Sequence, residues 1–273
     1  MTPDRARAAR ELLAFYLEAG VDAPLGETPV DRFAGPETRT DEPTSAPAVR
    51  RPPPPHPASA SGAASSVVPA APPAPEAAVM AARTAAKNAA TLEDLRAILD
   101  GFEGCALKGT ARQLVFADGN PQARVMFVGE APGREEDLEG LPFVGRSGQL
   151  LDRMLAAIGL DRSNAYIANV IPWRPPGNRT PTPQETSICL PFTRRQIELA
   201  DPDVLVCLGS PAAQALLEAK EGIMKTRGRW FNYHTGTRAI RAIATFHPAY
   251  LLRQLLQKRL AWRDFLAIKQ ALG

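Results

Sequence analysis

Three apolar runs in this sequence stop at side chains that can move protons, hold charge or read a heterocycle. Val125-Met126-Phe127-Val128 leads through Gly129 to Glu130, a second run ends at Asn169, and a third ends at Thr245-Phe246-His247. Gly129-Glu130-Ala131-Pro132-Gly133 is a tight turn of small residues that presents a carboxylate and free backbone N–H groups beside a pocket. The Asn169 amide both donates and accepts, which suits the edge of a pyrimidine. His247 enters a loop made rigid by Pro248. Two of them have an ordinary alternative: a solvated glutamate on a turn and a structural histidine.

Between the first two runs lie Glu135, Glu136 and Asp137, then Pro142-Phe143-Val144-Gly145-Arg146-Ser147-Gly148. A helix start after glycine and serine is a natural phosphate site, because its leading N–H groups are unpaired and carry the positive end of the dipole. Phe143 is either core packing or an aromatic plate for a base.

The elements that must position these groups follow from the pattern around them. Residues 124–129, 165–170, 203–208 and 239–245 read as buried strands. Helical segments at 147–158, 183–199 and 211–219 separate them. The expected fold is α/β, a three-layer α/β/α sandwich with a central, mainly parallel four-stranded sheet. Ligands of such sheets sit at the carboxyl ends of the strands, where the chemical residues fall.

The first third differs. Residues 1–20 read as a short amphipathic helix with Leu12, Leu13, Phe15, Tyr16 and Leu17, a candidate docking peptide for a protein partner. Residues 21–85 read as a disordered Pro/Ala-rich arm, and 86–273 as the folded domain; the boundary falls in an Ala-rich helical stretch that leads to a Thr91 N-cap. The 273 residues carry a formal charge of +3, compatible with a polyanionic partner but common among enzymes. Three cysteines without a close pair point to a reducing compartment, and no apolar run is long enough to span a bilayer. The expectation is a cytoplasmic protein without membrane association, acting as a monomer.

The ordered set Gly129-Glu130-Ala131-Pro132-Gly133, Pro142-Phe143-Val144-Gly145-Arg146-Ser147-Gly148, Asn169-Val170, Arg174-Pro175-Pro176-Gly177-Asn178-Arg179-Thr180-Pro181 and His247-Pro248-Ala249-Tyr250-Leu251-Leu252-Arg253 resembles the family-four uracil-DNA glycosylases over residues 92–273. That resemblance implies a DNA-repair hydrolase that flips uracil out of DNA and cleaves its N-glycosidic bond. It implies Glu130 and His247 as catalytic residues, the first at the attacking water and the second at the uracil O2. Ala131, Glu136, Phe143 and Asn169 would form the uracil site, with Phe143 stacking, Asn169 reading the Watson–Crick edge and Glu136 crowding the C5 face. Arg134, Arg146, Ser147, Arg227, Tyr250, Leu251, Leu252 and Arg253 would contact DNA, the leucines in the loop that enters the helix.

The chain departs from that family in three places. An iron–sulfur cluster needs four thiolates, but the matching positions are Phe102, Cys105, Trp173 and Cys189. Cys207 sits in an apolar run and reads as core. No cluster, metal or other cofactor is therefore expected. Ala249 stands where the family commonly has serine, which removes a hydroxyl near phosphate. Residues 174–182 contain no histidine for a covalent link to DNA, and no lyase lysine is evident, so a monofunctional hydrolase is expected. A non-catalytic uracil-DNA or damage-binding module that kept the pocket is the alternative. A phosphate-loop hydrolase is disfavoured because the Gly129–Gly133 turn lacks a Gly-Lys-Ser/Thr ending.

Overall fold

The computed structural model describes residues 75–273; the amphipathic segment 1–20 and the arm up to residue 74 lie outside the described residues. Helix α1 (Pro75–Asn88) and helix α2 (Leu92–Gly101) come first. Thr91 caps α2: its side chain accepts from the Asp94 N–H while the Asp94 carboxylate accepts from the Thr91 N–H. The arm expected over 21–85 therefore overlaps an ordered helix from Pro75 onward. Ala78, Ala82 and Ala86 form a buried stripe on α1 where it packs against a later helix, α5 (Pro183–Ala200). Small side chains at that spacing let the two helices approach closely, which composition alone does not reveal.

Four strands make the expected parallel core: β2 (Val125–Gly129), β3 (Tyr166–Asn169), β4 (Val204–Leu208) and β6 (Ala239–Thr245). Two antiparallel edge strands were not anticipated. β1 (Asp118–Gly119) pairs with β3, and β5 (Trp230–His234) pairs with β6, giving the order β1-β3-β2-β4-β6-β5. β1 is too short to announce itself, and β5 is mostly uncovered, so neither presents the continuous apolar run of a buried strand.

Alternation along β2 accounts for the three layers. Met126 and Val128 pack into a core with α1, α2, α5 and α6 (Ser210–Leu217). Val125 and Phe127 pack into a second core with α4 (Arg146–Ala156) and α9 (Lys258–Leu272). Successive side chains of a strand face opposite sides, so strands covered on both faces need apolar residues at every position. The α/β/α sandwich is borne out on that basis.

β2 lies between β3 and β4, so the chain turns one way from β2 to β3 and then crosses back past β2 to reach β4. That reversal opens a crevice at the carboxyl end of β2, the usual ligand position in such sheets. Gly129 and Asn169 are register partners there, and the Ile171 N–H donates to the Glu130 carbonyl at 3.0 Å. Thr245 is the register partner of Leu208, which delivers His247 to the same end of the sheet. Helices α3 (Arg134–Glu139), α7 (Ile223–Thr226) and α8 (Pro248–Arg253) complete the described set. None of the described helices is long and apolar enough to cross a membrane.

Candidate active site

A cleft of about 580 Å³ opens at the strand ends, a size within the usual range for small-ligand sites. Glu130, Asn169, Phe143 and His247 line it together, from four separate stretches of chain.

The Gly129 position brings the floor together. A Cβ there would lie 2.5 Å from Asn169 Oδ1 and 2.6 Å from Phe143 Cζ, so only glycine lets the amide and the ring close over the strand end. Phe143 is buried and has a left-handed backbone, φ 55°, unusual for a bulky residue. Two features hold it there. The Arg162 guanidinium donates to the carbonyls of Pro142 and Phe143 while pairing with Asp118 and Asp152. Gly148 lets α4 pass beneath, since a Cβ there would sit 1.6 Å from the Phe143 oxygen. Arg162 escaped the sequence reading because it precedes β3 and its target lies 19 residues away.

Glu136 lines the cleft, but its carboxylate is taken. One oxygen accepts from the Gly133 N–H at 2.9 Å, the other from the Val144 and Gly145 N–H groups at 3.1 and 3.0 Å. It clamps the turn after β2 to the loop carrying Phe143.

Glu130 and Asn169 are in the opposite condition. Oε1 of Glu130 and Oδ1 of Asn169 are buried without a hydrogen-bond partner. Burial raises the Glu130 carboxyl above the usual carboxylate range. Buried polar atoms are nearly always satisfied, so two unsatisfied acceptors beside one cleft make it a candidate ligand site.

His247 has a defined tautomer. It is the N-cap of α8, and its Nδ1 accepts from the Ala249 N–H at 3.1 Å. Burial, with a smaller contribution from the Arg253 charge, lowers its pKa to about 4. The ring is therefore neutral at physiological pH and carries its hydrogen on Nε2, a donor without charge.

Comparison with known proteins fits this geometry. Residues 116–266 match the model of the uracil DNA glycosylase superfamily. The chain belongs to the uracil DNA glycosylase superfamily. It is similar to the type-4 uracil-DNA glycosylase of Thermotoga maritima, 45% identical over 150 residues covering 55% of this chain and 77% of that protein. The type-4 uracil-DNA glycosylase of Archaeoglobus fulgidus is 39% identical over 187 residues, covering 67% of this chain and 94% of that protein. A type-5 uracil-DNA glycosylase of Thermus thermophilus is 32% identical over 123 residues, 40% of this chain and 55% of that protein.

Of the other residues assigned from the resemblance, this superfamily member brings Ala131, Arg146, Ser147, Tyr250, Leu252 and Arg253 to the cleft. Arg134 is exposed on the first turn of α3, outside the lining. Two residues belong elsewhere. Arg227 is mostly buried: it pairs with Asp264, donates to the Leu260 carbonyl at 2.7 Å and lies over the Phe246 ring. These contacts hold it outside the cleft lining. Leu251 is 1% exposed and packs with Leu150, Phe246 and Ala261. The leucines that do project are Leu255 and Leu256, 62% and 84% exposed, on a 3₁₀ turn just past α8. The sequence offers two leucine pairs around Arg253, Leu251-Leu252 and Leu255-Leu256, and only packing tells which one projects.

The cluster positions do not fit a four-thiolate group. The chain has three cysteines, and Cys207 forms no hydrogen bond with the other two. The Cys105 and Cys189 Sγ atoms lie 3.9 Å apart, so the two thiols left at the cluster positions are in contact, two short of the four the group requires. Trp173 is buried in the same core, and Phe102 packs edge-on against Phe192 with centroids 5.0 Å apart.

Proposed function

We propose that this chain hydrolyses the N-glycosidic bond of uracil in DNA, without an iron–sulfur cluster, and leaves an abasic site. The observation that carries the reading is the pair of buried, unpartnered acceptors, Glu130 Oε1 and Asn169 Oδ1, beside a neutral His247 in one cleft.

The bond breaks with positive charge developing on the sugar and negative charge on the departing base. The Glu130 carboxylate holds and deprotonates the water that adds to C1′ and stabilises the cationic sugar. His247 donates its Nε2 hydrogen to the uracil O2 as charge accumulates there, and its neutrality means no proton has to be returned. Asn169 Oδ1 accepts the N3–H and its amide N–H donates to O4, so cytosine presents the wrong pattern. Phe143 forms the plate beneath the base. Helix α4 begins at Gly145 without a side-chain cap, so its leading N–H groups with Ser147 and Arg146 suit a flanking phosphate.

Leu255 and Leu256 are assigned to the gap left in the duplex, in place of Leu251. The reading leaves strand cleavage to other enzymes, and the cleft lining among the described residues, which includes no lysine for a Schiff base, supports it. One chain supplies every residue invoked, consistent with a monomer.

The test is uracil release from a single-uracil oligonucleotide by the intact protein, Glu130→Gln and His247→Ala, with iron analysis of the same samples. Release by iron-free protein, falling about a hundredfold or more in each variant, supports the reading. Binding of that oligonucleotide without base release overturns it in favour of a binding module.

A further inference from the structure

We infer that Cys105 and Cys189 are a peroxide-reactive pair that closes to a disulfide between the segment after α2 and the middle of α5. The inference rests on the cluster-free reading, because thiols bound to iron are not available to one another.

The two Sγ atoms lie 3.9 Å apart although 84 positions separate the residues in sequence. A disulfide needs about 2.0 Å, a closure of the kind side-chain rotation and a small backbone shift provide. Both residues are buried, 2% and 0% exposed, in the apolar core that also holds Trp173 and Phe192. Cys105 lies in an irregular segment between exposed Glu103 and Ala106, whereas Cys189 is held inside α5. A small oxidant therefore reaches Cys105 first when that segment opens. Cys207, in β4, has no such neighbour among the described thiols and is an internal reference.

The chemistry closes with hydrogen peroxide as the oxidant. The Cys105 sulfur attacks one peroxide oxygen, the O–O bond breaks, and the departing hydroxide takes the thiol proton as water, leaving a sulfenic acid. The Cys189 sulfur then attacks the Cys105 sulfur; the S–S bond forms, the S–O bond breaks, and the hydroxyl leaves as water with the Cys189 proton. Two thiols are oxidised and one peroxide yields two waters. A resolving thiol in contact intercepts the sulfenic acid before further oxidation. The product ties the α1–α2 layer to α5 across a long loop, the kind of crosslink that stabilises a fold most in the chain-entropy account.

The experiment assays iron and sulfide in the full-length protein, then treats it with stoichiometric peroxide, denatures, alkylates and maps peptides. Iron-free protein is expected to lose two of its three thiols, to yield a Cys105–Cys189 linked peptide reversible by dithiothreitol, and to unfold about 5 °C or more higher. Cys207→Ser should behave identically. Three alkylated cysteines, a link to Cys207, or sulfinic acid at Cys105 without a link overturns the pair while leaving the cluster-free glycosylase intact. Stoichiometric iron and sulfide overturns the cluster-free reading, and the pair with it.

Discussion

The ring of Phe143 lies against the imidazole of His247, with centroids 5.4 Å apart and planes inclined by 30°. At that separation the rings are in contact, so no base fits between them. In the proposed reading a bound base rests on the cleft side of both, with one ring for stacking and the other's Nε2–H for its oxygen.

Arg162 is predicted to position Phe143 without touching substrate. Arg162→Met removes the donors to the Pro142 and Phe143 carbonyls and breaks the ion pairs to Asp118 and Asp152. The expected result is a rise in KM of about tenfold, from loss of a base-stacking contact worth about 1–3 kcal/mol. Steady-state kinetics with uracil-DNA checks it; a change in unfolding midpoint with unaltered KM makes Arg162 a purely structural residue.

Glu130→Gln is predicted to lower activity and raise stability together. Burial raises the Glu130 carboxyl above the usual carboxylate range, so its charged form opposes folding as pH rises from the unfolded pKa through the folded one. The glutamine variant should melt higher than the parent at pH 8 and lose that advantage as pH falls below the ordinary carboxylate range, where the glutamate too is neutral. Wild-type single-turnover rates should climb with pH as the carboxyl ionises. Melting curves and rates across that range test both signs.

His247 is predicted to be neutral throughout the working range. Its pKa of about 4 in the folded state lies below the value of about 6.5 expected in the unfolded chain, so the unfolded state binds the proton first. Its contribution to stability is therefore lost as pH falls from about 6.5 to 4 and unchanged above. Nitrogen NMR should report hydrogen on Nε2 at pH 7; an Nδ1–H tautomer contradicts the cap. His247→Ala should reduce uracil release by about 10²–10³-fold.

Arg227→Ala should destabilise the fold by about 3–5 kcal/mol, because it leaves buried Asp264 without its partner. Denaturant titration measures this. A normal midpoint with weakened DNA binding would restore Arg227 to the interface.

Leu251→Ala and Leu256→Ala should separate cleanly. The first opens a cavity in the cluster around Phe246 and is expected to cost about 2–5 kcal/mol of stability. The second should leave stability within about 0.5 kcal/mol, since the side chain is exposed, yet slow release from duplex substrate. Equal losses on single-stranded and duplex uracil-DNA would remove Leu256 from the role of gap filler.

What the sequence determined by itself was whatever local pattern encodes. Four buried strands declare themselves because a sheet covered on both faces needs unbroken apolar runs, and Thr91 announces a helix start because a cap is a local hydrogen bond. The strand-end positions of Glu130, Asn169 and His247 were legible for the same reason. Tertiary structure decided which neighbours along a helix face the cleft and which the core. Leu251 and Leu252 are adjacent, yet successive helical residues point about 100° apart, so one is core and the other lines the site. It also decided the partners that lie far along the chain: Arg227 with Asp264, Arg162 with the Phe143 carbonyl, Cys105 with Cys189. Those contacts exist only after the layers pack, because loop closure brings together residues whose own neighbours carry no trace of the meeting.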